Sequence, residues 1–350
     1  MLKGLALTPP VVGRISIGRI VERGGKKTPV KDDEFTLTTQ VQTREGWMLH
    51  PLDDQLRRAQ AGDKSNDHAG GKAEAKDSPR AGTEAGATAE GEVPHARVKL
   101  RSIPVRLLFD DPDLNLRASY CLFDRSTGRP QCVGDGQTCR RATVAGMQTM
   151  ECRAPEACEL ADRGCKPFGR LNVRIGDEEE LSSFVFRTTG FNSIRTLATR
   201  LKYFHAVSGG NLSTLPLELR LRGKSTQQSR GSPIFYVDLT VRTGSNLKEA
   251  IFEARSEALA KQEAGFSQAD LDGAARAGLA LGAFEETVEE GLAVVEEFCP
   301  PPVEGDGLTG WVEGGVPSAD SPDGSPRLTQ SSTLLAKLER KAAARSGSPA

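Results

Sequence analysis

Between residues 132 and 165 the chain reads CVGDGQTC and then, further on, CRAPEACELADRGC, so Cys132, Cys139, Cys152, Cys158 and Cys165 fall in a stretch dominated by Gly, Arg, Pro and acidic residues. Ordering any segment costs roughly 1–2 kcal/mol of backbone entropy per residue. This segment has few large apolar side chains with which to offset that cost. Thiols can help as disulfides, as metal ligands or as small buried hydrophobes. Disulfides need an oxidising compartment. The N-terminal MLKGLALTPPVVG is too short and too broken by Pro9-Pro10 to read as a secretory leader, and no stretch reaches the ~20 apolar residues of a membrane span. The expectation is therefore a cytoplasmic protein with reduced cysteines and no membrane partner. Cys121 sits in the apolar run SYCLF and is expected to be an ordinary buried strand residue, while Cys299 is remote. Structural zinc is the leading reading for the remaining five, with Cys132, Cys152, Cys158 and Cys165 as ligands and Cys139 as the substitute for Cys132. The spacing is wider than the two to four residues of common zinc motifs, and free or redox-active thiols remain the alternative. Four thiolates leave no open position on the metal, so the expected role is structural.

Alternating apolar and polar residues predict strands in GRISIGRI, with Ile15, Ile17 and Ile20 inward, and in EFTLTTQVQ, with Phe35, Leu37 and Val41 inward. GGKKTPVKDD between them reads as a turn or loop. Further strands are expected in VKLRSIPVRLLF, RASYCLFD, FGRLNVRIGD, SSFVFRTTG, LPLELRLRG and SPIFYVDLTVR. FNSIRTLATRLKYFHAV changes to helical period, with Ile194, Leu197, Leu201 and Phe204 on one face and Asn192 or Ser193 as cap. The mixture lacks regular βα alternation. It predicts an α+β fold: a mixed or antiparallel sheet core with a Cys-rich, zinc-bound loop, a C-terminal helical pair, and a disordered linker and tail. The expected divisions are a β-rich segment, 1–57, packing with the core; a linker, 58–95, too poor in apolar residues to fold; the core, 96–243; an acidic helical region, 244–299; and a tail, 300–350, with a short helix over 333–345.

The chain's net charge of −1 conceals an asymmetry. Residues 96–243 carry 23 Lys and Arg against 15 Asp and Glu, and residues 247–297 carry 4 against 12. A basic core can meet nucleic acid, and acidic helices can meet a partner or fold back onto that core. Arg187, Arg195, Arg200, Lys202, Arg220, Arg222 and Lys224 are the candidate contacts to DNA or a partner, although a solvated surface accounts for each singly.

Signals for catalysis are weak. No HExxH, GxSxG or Walker pattern occurs. His68 and His95 lie in the linker, leaving His50 and His205 without a supporting motif. Asp110 and Asp111 in FDDP, with Asp135 in the GDG turn, define the competing reading, a metal-dependent hydrolase or nuclease. A single-strand DNA-binding accessory protein is a third. No small-molecule substrate is expected.

The order of motifs resembles one known family. RSIPVRLLFDDPDLNLRASYCLFDRSTGRPQCVGDG, MECRAPEACELADRGCKPFGRLNV, TTGFNSIRTLATRLKYF and LPLELRLRGKS, preceded by GRISIGRIVERGGKKTPVKDDEFTLTT, look similar to recombination directionality factor-like proteins of phages and integrative elements. The resemblance covers roughly residues 11–50 and 96–243. It implies a non-enzymatic protein that binds a serine integrase on DNA and redirects it from integration to excision. On that resemblance Cys152, Cys158 and Cys165 match the family's cysteine array and Cys132 its upstream cysteine. Thr189, Asn192, Ser193 and Ile194 match its Thr-x-x-Asn-Ser-Ile stretch. The linker and Cys139 depart from the pattern.

Overall fold

The N-terminal apolar alternation builds a long hairpin of β1 (Val11–Arg23) and β2 (Lys26–Thr43). In the computed structural model, residues 10–23, 26–44, 46–67, 98–177, 182–225, 227, 233–280 and 288–299 are described. All lie within the first of two compact units, Met1–Glu313 and Gly314–Ala350. Ile15, Phe35 and Leu37 are buried and Ile17 packs beside them, while the side chain of Ile20 lies outside the described residues. Two expectations are corrected here. KKTPVKDD is not a loop but part of β2, because β1 continues to Arg23 and offers backbone partners from Arg19↔Val30 to Arg23↔Lys26. Val41 is exposed, because the pairing of β2 with β3 (Gly46–Leu49) shifts register between Thr38 and Gln42. Between these pairs β2 advances four residues against two on β3, an irregularity that breaks the inward-outward alternation of β2 there.

β1 pairs in parallel with β10 (Ser183–Thr188), which runs antiparallel to β9 (Lys166–Ile175). At β9 the sheet forks. Its first residues pair with β5 (Leu116–Phe123), which continues as a meander through β6 (Pro130–Gly134), β7 (Thr138–Thr143) and β8 (Gly146–Glu151). Its last residues, Val173–Ile175, pair with β4 (Ser102–Leu107), which carries β11 (Leu217–Lys224) and β12 (Ile234–Val241). The result is an α+β fold on a mixed, twelve-stranded sheet.

The main core joins Phe35, Leu37, Ile103, Val105, Leu171, Phe186, Leu217 and Leu239 to the helix α4 (Phe191–Ser208). Ile194, Leu197, Leu201 and Phe204 are its buried face, as the periodicity predicted. The cap differs: Gly190 is the N-cap. Ser193 instead uses its hydroxyl to accept the N–H of Val237 on β12 at 3.1 Å, and Asn192 accepts from Lys224 at 2.8 Å. Ile194 lies over Gly169, where a Cβ would stand 2.9 Å from it. The Asn-Ser-Ile stretch thus fastens the start of α4 to the sheet.

Residues 51–67 form α1 (Pro51–Asp67), so the helix continues past residue 58, where the linker was expected to begin. Leu52 and Leu56 pack on the core, and Gln60 donates to the Ser102 carbonyl at 2.6 Å. Residues 68–97, the tail 300–350 and its expected helix lie outside the described residues. Two single-turn helices, α2 (Pro112–Asn115) and α3 (Ala154–Ala157), flank β5 and the cysteine segment.

The acidic region is α5 (Leu247–Glu263), α6 (Gln268–Ala280) and α7 (Val288–Phe298), so the expected pair is three described helices. α5 starts with a reciprocal Asn246–Glu249 capping box, and at α6 the Ser267 hydroxyl accepts the Asp270 N–H at 3.3 Å. These helices fold back onto the core. Glu253 and Glu257 of α5 pair with buried Arg106 at 2.8 and 3.1 Å, and Asp272 of α6 accepts the backbone N–H groups of Asp110 and Asp111.

Arg106 also donates to Asp177 at 3.0 Å, beside the two contacts of Arg242 at 2.5 and 2.9 Å. The Arg242 guanidinium foremost, and then Arg106, hold the Asp177 carboxyl down at about 2, from an ordinary 3.8. A depressed acid contributes stability above its unfolded pKa and loses it as pH falls from about 4 to about 2. Asp177 is more than half exposed, so solvent screening limits the expected contribution to about 1 kcal/mol or less. Carbon-detected titration of Asp177 should show the low midpoint, and Arg242→Ala should move it toward 3.8.

Candidate metal centre and partner surface

Strand parity gathers the cysteines. Tyr120↔Gly134, Leu122↔Cys132, Cys132↔Arg141 and Gly134↔Cys139 are register partners, so these side-chain positions share one face of the β5–β8 meander. Cys121 and Val133 point to the other face, and Cys121 is buried as expected. The segment 152–165 folds over the first face. Cys152 donates its backbone N–H to Gln137 at 2.8 Å, and Cys165 donates its own to Leu160 at 3.0 Å. Cys132, Cys139, Cys152, Leu122 and Leu160 form one buried cluster, with Cys158, Cys165, Tyr120 and Met150 packed against it. At Gly134 the crowding is tightest. A Cβ there would lie 2.7 Å from both the Cys139 Cβ and the Cys152 Sγ.

All five thiols named from the sequence are therefore brought together, Cys139 among them. They are free thiols. No three or more Cys, His, Asp or Glu side chains among the described residues stand in a metal-holding geometry, these thiols included. Burial, reinforced by neighbouring Cys132, pushes the Cys139 thiol up to about 11; burial with several surrounding thiols pushes Cys165 to about 12. Arg141 is the residue that sequence reasoning missed. It stands opposite Cys132 across the hairpin, and its guanidinium reaches the Cys158 Sγ at 3.7 Å and pairs with Glu159 at 3.0 Å. Its position opposite Cys132 in a hairpin was the available signal.

The seven candidate contact residues separate. Arg195 and Lys202 are exposed on α4. Arg200 and Arg222 both bind Asp238, at 2.9 and 3.1 Å, and Arg220 binds Glu218 and the Thr243 hydroxyl. Lys224 holds Asn192 and stands over the Tyr236 ring. Arg187 is corrected: it is buried beneath α7, paired with Glu290 at 3.5 Å, rather than offered on the surface.

The acids of the hydrolase reading are not brought together. Asp110 accepts the Ser213 N–H at 2.8 Å, and Asp111 caps α2 and pairs with Arg276 at 2.6 Å. Asp135 accepts the N–H groups of Gln137 and Thr138, both at 2.7 Å. Asp110 and Asp135 line different cavities. His50 is likewise occupied structurally, with its ring edge-on to Phe184 and its Nδ1 accepting the Leu52 N–H.

A family described as Gp3-like, recombination directionality factor-like, matches residues 12–242. The chain belongs to this recombination directionality factor-like family. The match runs from β1 to the end of β12. It contains the cysteine face and the Asn-Ser-Ile start of α4, and stops before the three acidic helices. Searches among curated proteins and among solved structures returned no match. The matched region thus spans the strands of the sheet, and α5, α6 and α7 follow it in the chain and pack upon it. No described helix is long and apolar enough to cross a membrane.

Proposed function

We propose that this protein is a non-enzymatic accessory factor of a mobile element, which binds a serine integrase on its DNA and shifts recombination toward excision. The observation that carries the reading is the family match over residues 12–242. A binding protein can redirect a recombinase without chemistry of its own, provided it binds the excision-competent arrangement more tightly. The shift in product ratio equals that difference in affinity. Arg195 and Lys202, exposed on α4, are the first choices for contact with integrase or DNA. The test is recombination by the cognate integrase on integrative and excisive substrates, with and without the purified protein. An unchanged product ratio would refute the reading.

A structural zinc is part of the proposal. Support comes from the donor set: two thiols on one face of a meander and three on the segment packed over it, beside an arginine. Cys132, Cys152, Cys158 and Cys165 would hold the ion, with Cys139 as the alternative to Cys132. Bound zinc would supply a tetrahedral crosslink between the meander and the segment that folds over it. Four thiolates around a divalent ion carry a net negative charge, which Arg141 is placed to offset. Arg141→Ala should therefore lower zinc affinity by roughly 10–100-fold, the usual range for a group that orients or balances ligands. Competition with a chromogenic chelator measures it, and an unchanged affinity would remove Arg141 from the site.

A further inference from the structure

Cross-strand register places Arg187, Arg170 and Arg117 directly opposite one another on β10, β9 and β5. They occupy the face opposite to Phe186, Leu171 and Leu116. Arg14 of β1 joins them, since its register partner on β10 is Val185, two residues from Arg187. Like charges facing each other across a sheet are destabilising, so this row calls for anionic cover. Beside it lie Cys121, Phe123 and Phe168, an apolar cluster separate from the main core. The combination is a basic strip bordered by an aromatic patch.

In the folded chain α7 lies on both halves. Glu290 pairs with Arg187 at 3.5 Å and Glu297 with Arg14 at 2.5 Å. Val294 and Val295 pack into the apolar cluster, and Phe298 meets Phe168 edge-on. The backbones cross where Gly291 meets Gly128, so closely that a Cβ on Gly291 would overlap the Gly128 carbonyl oxygen. Every residue of the underlying surface falls within the family-matched region, and α7 falls outside it. The receiving surface therefore lies within the matched residues, and the helix that covers it lies beyond them.

We propose that this face is an acceptor for an acidic amphipathic helix of a partner protein, and that α7 is an intramolecular occupant which the partner helix displaces. A nucleic-acid backbone would answer the arginines but leave the Phe123–Phe168 patch unmatched. An acidic amphipathic helix matches both. The inference deepens the partner-binding reading but is tested without any recombinase, so the two can fail separately.

The experiment uses full-length protein and a labelled peptide of the chain's own α7 sequence, VEEGLAVVEEF. Gly291→Ala is expected to unseat α7, seen as lost hydrogen-exchange protection over residues 288–298 with β9 and β10 still protected. If α7 stays seated, Val294→Asp with Val295→Asp is the opening variant. The opened protein should bind the peptide at least about tenfold more tightly than the unaltered protein, whose site is occupied. Adding Arg187→Glu should reverse the gain by about tenfold or more. Failure of the opened protein to bind, or binding indifferent to Arg187→Glu, would overturn the proposal. So would preference for a DNA oligonucleotide over the peptide at equal ionic strength, which would assign the face to nucleic acid.

Discussion

Chelation of the reduced, full-length protein is expected to melt the β5–β8 meander and leave β4, β11, β12 and α4 folded. The meander's thiol face is a cluster of its own, and among the described residues its buried aliphatic side chains are Leu122 and Leu160. The main core on the other branch contains no cysteine. Binding of structural zinc is worth on the order of 10 kcal/mol in small metal-dependent folds, enough to decide whether such a cluster is ordered. Metal analysis should find about one zinc per chain, and Cys152→Ser should abolish it. Hydrogen exchange at Val133, Cys139 and Arg140 against Leu197 and Leu201 would report the local loss. Metal-free protein whose meander exchanges no faster after chelator would eliminate the zinc reading. The family assignment would survive that result, because it rests on residues 12–242 as a whole.

Arg57→Ala should be among the most destabilising single changes. Arg57 and Asp53 are both buried, and their contact is 2.6 Å. The same guanidinium bonds Glu34 at 2.6 Å and the carbonyl oxygens of Val98 and Phe35, both at 2.8 Å. Asp53 also accepts the Leu37 N–H at 3.0 Å. Removing the cation leaves the buried Asp53 carboxylate with no counter-ion and takes a donor from the buried Phe35 carbonyl and the half-buried Val98 carbonyl, a loss of roughly 3–5 kcal/mol. Lysine cannot replace the planar fork that serves four acceptors, so Arg57→Lys should recover little. Arg276→Ala breaks an equally short pair, to Asp111, but an exposed one, and should shift the midpoint far less. Urea midpoints of the three variants measure the contrast. A loss below about 1 kcal/mol for Arg57→Ala would mean that water replaces the guanidinium.

Local patterns in the sequence carried most of the elements. Alternation located β1, β4, β5 and β9 to β12, and helical period located α4 with its buried face, because those signals depend on neighbours a few residues away. The convergence of Cys132, Cys139, Cys152, Cys158 and Cys165 was legible for the same reason, as clustering in sequence became one cluster between a hairpin face and the segment that follows it. The destinations of the arginines were not legible. Arg187 lies under α7, and Arg57 anchors a helix to residues on both sides of the segment 68–97. Whether a cation is solvated or sealed depends on which distant element covers it, and no local window contains that information. KKTPVKDD failed for a related reason. Its own residues favour a turn, but the partner strand continued and supplied backbone pairing.

The parallel seam between β1 and β10 bears on synthesis. The Ser183 hydroxyl reaches the Pro10 carbonyl across 173 residues of chain. At ribosomal speeds of about 5–20 residues per second, the first hairpin waits roughly 10–35 s for its neighbour to emerge. During that interval β1 presents an unpaired edge with Ile15 beside it. The nascent polypeptide is then at its most adhesive.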